Sequence, residues 1–342
     1  MTAQDEAAGT TVSRPPDIKA VPVRHPGRWV AVAIIAVIVA MMVHTAVFAR
    51  VKRGNSLQTR FGWGVVGDYL FARPILQGVL TTLELTAIGM AIGIVGGILL
   101  AVMRLSVNPV LSGVSWVYLW FFRGTPLLVQ LAFWYSGISY LYPQLSLGVP
   151  FGPEVTHFSA NNLIVPMVAA CIGLGFNEAA YMAEIVRAGI LSVEEGQMEA
   201  ASSLGMNRAL TMRRVILPQA MRVIIPPTGN EVISMLKNTS LAYIAAVGEL
   251  YFAQYIIAAR TYQIVPMLLV ACIWYLAMTS VLMVGQYYIE RHYARGAVRQ
   301  MPPTPWQKFR GLVRRRPPTP AEIAVDAGAD LPTWHGVQGG QH

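Results

Sequence analysis

Long apolar runs alternate along the chain with short basic or polar segments, at lengths that predict membrane-spanning helices. The first run is Trp29 to Phe48, with no charge inside it, and the second is Gly78 to Met103, interrupted only by Glu84. The third is roughly Gly124 to Tyr142, preceded by the aromatic run Trp116 to Phe122. The fourth is Leu163 to about Arg187, the fifth about Thr228 to Leu250, and the sixth Pro266 to Ile289. Each can cross a hydrocarbon core about 30 Å thick at about 1.5 Å rise per residue. The pattern predicts an all-α, polytopic helical membrane protein of about six transmembrane helices. Residues 1–28 and about 291–342 lack helical periodicity, are rich in Pro, Arg, Ala and Gly, and are expected to be disordered tails. The segment 49–74 is expected outside the membrane, with an interfacial helix over Trp63 to Gln77.

Composition sharpens this picture. The chain has 342 residues, 54% hydrophobic and only 13% charged. Soluble domains carry about a quarter charged residues, so most soluble enzymes and disordered proteins are excluded. The net charge of +9 would suggest nucleic acid in a soluble chain. Here the positive-inside rule accounts for it, and no nucleic-acid partner is expected. With the N-terminus placed in the cytoplasm, 19 of the 26 Lys and Arg residues fall inside and 6 outside, with Lys237 within a span. The bias puts both termini in the cytoplasm. Val47-Phe48-Ala49 resembles a cleavage site, but the preceding tail of 28 residues and the apolar run of 20 favour an uncleaved anchor.

Cys171 and Cys272 both lie in apolar runs and read as small buried hydrophobes. The six histidines are scattered, without metal-ligand spacing, so no metal site is expected. None of Lys19, Lys52, Lys237 and Lys308 follows a glycine, so the sequence contains no Gly-Lys-Ser/Thr phosphate loop. If ATP drives this protein, another chain binds it.

The polar segment after the fourth run is the most informative. Ser192-Val193-Glu194-Glu195 reads as a capping box opening a helix. Gly205 would sit just past that helix, Asn207 would cap a second short helix, and Pro218 would limit it. The result is a helix–turn–helix that exposes Glu199, Ala200 and Ala201 beside a tight turn. The run reads Glu199-Ala200-Ala201, three residues, Gly205, nine residues, Val215, one residue, Leu217-Pro218.

This spacing resembles the Glu-Ala-Ala loop of ATP-binding-cassette importer permeases, with Val215 where that family usually has Ile. Further runs resemble the subfamily that imports polar amino acids: Phe122-Arg123-Gly124-Thr125-Pro126-Leu127-Leu128-Val129-Gln130, Tyr181-Met182-Ala183-Glu184-Ile185-Val186-Arg187-Ala188-Gly189-Ile190, Gly196-Gln197, Pro218-Gln219-Ala220 and Lys237-Asn238-Thr239-Ser240-Leu241. The resemblance covers about residues 75–290 and implies a type I importer permease core of five spans. The first span lies outside it. The resemblance implies that Gln197, Glu199, Ala200, Ala201, Gly205, Val215, Leu217 and Pro218 form a coupling loop that docks on ATPase subunits. It also implies a second permease subunit, identical or not, an extracellular amino-acid-binding protein, and the plasma membrane of a prokaryote. ATP and Mg would be held by the partner ATPase, with no cofactor and no catalytic residue in this chain.

Polar residues inside the spans are the candidates for a substrate path, because ionisable groups in a bilayer are expensive and usually face a bundle interior or a cavity. Lys237, Asn238, Thr239 and Ser240 put four polar residues in a row within a span, which predicts a cavity or an unwound backbone. Asn177, Tyr181 and Glu184 fall at i, i+4 and i+7 and form a second stripe. Glu184 also stands three residues from Arg187 and can pair with it. Thr125 and Gln130 either reach the path or pack. Glu84 and Glu231 are the other ionisable residues in or near spans. Gly89, Gly93 and Gly97, with Gly96 beside them, form a small-residue face for close helix packing. The leading expectation is an importer permease for a polar amino acid such as histidine, glutamate, glutamine, arginine or an opine. The second reading is a secondary transporter driven by an ion gradient.

Overall fold

The computed structural model describes residues 26–53, 56–141, 143–148, 154–159 and 165–293. The two tail expectations therefore fall almost entirely outside the described residues. The chain divides into two units, Met1–Ala72 with Ile257–Val270, and Arg73–Ile256 with Ala271–His342.

In the first unit, α1 (Pro26–Phe48) is an apolar helix whose described side chains are almost all exposed. Strands β1 (Arg50–Arg53) and β2 (Ser56–Thr59) follow as an antiparallel hairpin with Arg50 opposite Thr59. The Arg60 amide donates to the Ala49 carbonyl at 2.7 Å and closes the hairpin. Gly62, at φ +63°, opens α2 (Trp63–Leu70) in the left-handed region, where a Cβ would also sit 2.6 Å from Pro266 Cγ. The expected interfacial helix thus stops at Leu70, and residues 73–77 belong to the next helix. Pro74 explains the break, since it has no N–H to donate and so is accommodated in the first turn of α3 but not in a continuation of α2.

The second unit holds the long helices. Helix α3 (Arg73–Arg104) is followed by α4 (Pro109–Gly124), capped by Asn108 Oδ1 on the Val110 amide at 2.9 Å. Next come α5 (Leu127–Ala132), a π turn at Phe133–Gly137 and α6 (Ile138–Leu141). Strands β3 (Gln144–Gly148) and β4 (Glu154–Ser159) form a second hairpin before α7 (Pro166–Leu191). Then come α8 (Glu195–Ser203), α9 (Arg208–Thr211), a second π turn at Met212–Ile216, and α10 (Leu217–Asn238). A 3₁₀ segment, Thr239–Ala245, leads to α11 (Leu250–Thr261) and α12 (Ile264–Tyr293). The core is helical as expected, and the two hairpins are additions the span pattern did not contain.

Helices Trp29–Phe48, Arg73–Arg104 and Ile264–Tyr293 are each long and apolar enough to cross a membrane. The fifth expected span is bent by 49° where Arg208–Ala245 meets Leu250–Thr261. The third expected span is a short helical stretch, 127–141. The fourth lies on α7, 26 residues long, which carries Asn177 and Glu178 in its middle.

The glycine face of α3 packs on α7 as expected. A Cβ on Gly89 would meet Leu174, one on Gly93 would meet Glu178, and one on Gly97 would meet Met182 and, at 3.0 Å, the Ala183 backbone nitrogen. These contacts advance together, so α3 and α7 run parallel, and small residues let the two backbones touch. Gly97→Val is expected to lower stability by about 1–3 kcal/mol through overpacking. Gly113→Ala, with open space around it, should leave stability unchanged or slightly raised. Thermal midpoints in detergent check both.

Elsewhere the unit is pinned by polar contacts between helices, some of them buried. The Ser115 hydroxyl donates to the Leu100 carbonyl at 2.9 Å, and the Tyr118 hydroxyl to the Phe176 carbonyl at 2.9 Å. The aromatic run is therefore divided, with Phe122 and the neighbouring Leu119 buried and Tyr118 half-buried, while Trp116, Trp120 and Phe121 stay exposed. The fully buried Glu249 accepts the Tyr251 and Phe252 amides at 2.7 Å each and the Tyr275 hydroxyl at 3.1 Å, capping α11. Gln286 donates to the Pro226 carbonyl at 2.7 Å beside the Pro226–Pro227 pair. Cys171 is half-buried, as expected of a packing residue, but Cys272 is exposed, because it lies on the outer apolar face of α12.

Candidate functional site

Two places collect the candidate residues. The first is a cavity of about 570 Å³ bounded by the start of α5, the middle of α7 and the C-terminal half of α10. Arg123 and Lys237 bring basic side chains to it, and Glu178 and Glu231 bring carboxyl groups. Thr125, Asn177, Tyr181, Ser234 and Asn238 add neutral polar groups. The Arg123 guanidinium lies over the Tyr181 ring, 5.6 Å from its centre, a cation–π distance. Glu178 is buried, and its Oε1 has no hydrogen-bond partner among the described residues.

Of the residues expected along a path, Thr125, Asn177, Tyr181, Lys237 and Asn238 line this cavity. Gln130 does not. It is buried behind the wall, where its Nε2 donates to the Phe122 carbonyl at 2.9 Å and to Thr125 Oγ1 at 2.7 Å. Its Oε1 accepts from Asn177 Nδ2 at 3.1 Å. Gln130 therefore holds the two lining residues in place. Thr239 is buried and Ser240 half-buried, and their hydroxyls donate back to the Leu236 and Lys237 carbonyls at 2.7 Å each. The expected departure from regular helix is present there as the 3₁₀ segment. Glu184 faces elsewhere and pairs with Arg187 at 2.8 Å.

Sequence reasoning did not single out Glu178, Ser234 or Arg123 as lining residues, and it weighed Glu231 only as an ionisable group near a span. The signal for Glu178 was present, as a carboxylate next to Asn177 within an apolar run.

The second place is the loop after α7. Ser192 closes α7 instead of opening α8, its hydroxyl donating to the Gly189 carbonyl at 2.8 Å. The N-cap of α8 is Glu194, with no side-chain cap bond, so the expected capping box is not formed. It fails because α7 runs on to Leu191 and uses Ser192 at its own end. The C-terminal reading holds. Gly205 sits at φ +75°, its amide donates to the Ser202 carbonyl at 2.9 Å, and the Met206 amide donates to Ala201 at 3.1 Å. This is a Schellman closure. Asn207 Oδ1 accepts from the Leu210 amide at 2.9 Å, capping α9 as expected.

Pro218 does not limit the following helix. The π turn at Met212–Ile216 widens the ladder just before it and absorbs the proline's missing N–H, and the helix continues to Asn238. Gln197, Glu199 and Ala200 are exposed, whereas Ala201 is buried against the turn. Val215 is half-buried, and Leu217 and Pro218 are exposed. Gln219 donates to the Val215 carbonyl at 3.0 Å and reaches Gln197 at 3.5 Å, tying α8 to the base of α10.

Fold and cavity together define a helical membrane protein built around a charged internal cavity. The family described as binding-protein-dependent transport system inner membrane component matches residues 93–295. The chain belongs to that family and is an ABC-type amino-acid permease subunit. The arginine transport system permease protein ArgU of Corynebacterium glutamicum is 49% identical over 303 residues, which is 88% of this chain and 91% of ArgU. The probable amino-acid permease protein YxeN of Bacillus subtilis is 37% identical over 217 residues, 64% of this chain and 90% of YxeN. A solved structure described as an amino acid ABC transporter with histidines superposes with a TM-score of 0.56 at 34% identity, covering 67% of this chain and 98% of the solved one.

Proposed function

We propose that this chain is the membrane-spanning subunit of an ATP-driven importer for a polar amino acid, with a basic one such as arginine as the first candidate. The observation that carries the reading is the cavity. Its volume of about 570 Å³ lies within the roughly 300–1,000 Å³ typical of small-molecule sites. It offers Glu178 and Glu231 to cationic groups, and Arg123 and Lys237 to a carboxylate. The relative 49% identical to this chain is an arginine permease, and two carboxylates in one cavity suit a guanidinium beside an α-ammonium.

Thr125, Asn177, Tyr181, Lys237 and Asn238 line the path, with Gln130 as their support. Helix α8 with Glu199, Ala200 and the Gly205 turn is the docking element for a partner ATPase that holds ATP and Mg. Both termini and this loop face the cytoplasm, in the inner membrane of a prokaryote. A second permease subunit and an extracellular binding protein complete the assembly. Nucleotide closes the ATPase pair, and the loop transmits that closure to a bundle with two openings, a shift between states of differential stability.

The test is uptake in proteoliposomes. Permease, ATPase and binding protein together should accumulate a labelled basic or other polar amino acid only with ATP. Uptake by the permease alone under an ion gradient would overturn the ATP-driven reading in favour of secondary transport. Accumulation of sugars or phosphate with no amino acid would overturn the substrate class.

A further inference from the structure

We infer that the α3–α4 corner is a binding site for the headgroup of an anionic phospholipid, beside the substrate cavity and sharing Arg123 with it. A second concavity, of about 370 Å³, is bordered by Arg104, Trp116, Trp120, Arg123, Gly124 and Glu184. Trp116, Trp120 and Arg123 stand at i, i+4 and i+7 of α4, so they share one helix face. Trp116 is 52% exposed and Trp120 66% exposed, so both indoles are open to whatever lies against this face of α4. Arg104 closes the corner from the end of α3, and its Nη1 donates to Ser112 Oγ at 3.0 Å. That bond fixes the guanidinium without neutralising it. Glu184 borders the concavity too, but its carboxylate is taken by Arg187 at 2.8 Å. The net charge left at the corner is positive.

The chemistry matches one ligand class. Guanidinium groups bind phosphate oxygens in planar pairs. Tryptophan faces suit the boundary between headgroup and acyl chain, where one end is wet and the other apolar. A soluble anion would use the arginines but leave both indoles bare, whereas a phospholipid occupies both. The corner also lies at a suitable depth. Since α3 and α7 run parallel, Arg104 stands at the end of the bundle where α7 leads into α8. Arg123 borders both concavities, so a headgroup phosphate that draws its guanidinium outward takes a positive charge from the substrate cavity. Lipid occupancy is thereby tied to the charge balance of the path.

The experiment uses the assembled transporter in nanodiscs of phosphatidylcholine with or without phosphatidylglycerol. Phosphatidylglycerol retained per permease is then counted by native mass spectrometry after extraction. The wild type should retain phosphatidylglycerol in preference to phosphatidylcholine. Arg104→Gln should lower that retention about fivefold, the effect of one cation at a headgroup. The double change Trp116→Leu with Trp120→Leu keeps the surface apolar and should also lower it, with the thermal midpoint of the complex unchanged. Equal phosphatidylglycerol retention by wild type and both variants would overturn the site. Release of the bound lipid by millimolar inorganic phosphate alone would overturn the lipid assignment in favour of a soluble anion.

Discussion

Replacing Gly205 with aspartate, or Glu199 with lysine, is expected to stop amino-acid accumulation while the permease still inserts and folds. Gly205 lies in the left-handed region, at φ +75°, with nothing within 4 Å of where a Cβ would be. A side chain there meets no neighbour, so the main local effect is backbone strain of about 1–2 kcal/mol. An aspartate also puts a negative charge at the C-terminal end of α8, where the helix dipole disfavours it. Both effects loosen the Schellman closure that shapes the docking turn, while the buried seam of α3 and α7 is untouched. Glu199 is exposed, and among the described residues it is bonded through its backbone, its carbonyl accepting the Ser203 hydroxyl at 3.0 Å, so charge reversal acts on the surface. At a docking centre such changes remove 2 kcal/mol or more, about thirtyfold in affinity. Co-purification of the ATPase and uptake in proteoliposomes measure the two consequences. Normal transport with the partner still bound would end the docking assignment.

Neutralising the cavity should have an effect of similar size by a different route. Lys237→Ala and Asn238→Ala are expected to impair transport more than they reduce folded protein in the membrane. Lys237 is exposed to the cavity at the last turn of α10, so its removal leaves no buried hole. Glu178→Gln is the sharper change. It keeps volume and one acceptor while removing the ionisable carboxyl, at a group whose Oε1 has no hydrogen-bond partner among the described residues. Hydrogen bonds to charged groups contribute about 1.5–3 kcal/mol, so transport should fall about 10- to 150-fold. Thermal midpoints and uptake rates measured on the same preparations separate the cases. Folded protein falling in step with transport would mean that these residues hold the bundle together and do not touch the substrate.

Much of this was legible in the sequence, for definable reasons. The apolar runs at Trp29–Phe48, Gly78–Met103 and Pro266–Ile289 fell within helices because nothing in water-free surroundings competes with internal backbone pairing. Gly205 and Asn207 were legible because a left-handed turn and a helix N-terminus each accept few residue types. The i, i+4 pair of Asn177 and Tyr181 pointed to the cavity correctly, but extending the stripe to Glu184 failed. The cavity takes the neighbouring angle, through Glu178, and Arg187 holds Glu184 away. Pro218 misled because a π turn, which leaves no mark in composition, lets a helix run through a proline. The misread capping box at Ser192 depended on where α7 stops, and helix packing decides that.

The glycine seam between α3 and α7 has a consequence for how such a transporter changes substrate. The seam fixes the register of the two helices by backbone contact, so the cavity side chains at 177 and 181 hang from a frame they do not help to align, whereas Glu178 packs against Gly93 and belongs to both. A point substitution at 177 or 181 can redraw the charge pattern offered to a solute and leave the frame in place. Substitutions at 89, 93 or 97 are denied that freedom, because each has a neighbouring helix where its side chain would go. One backbone is thereby open to diversification toward new cargoes, with the changeable positions on α7 and the constrained glycines on the facing helix α3.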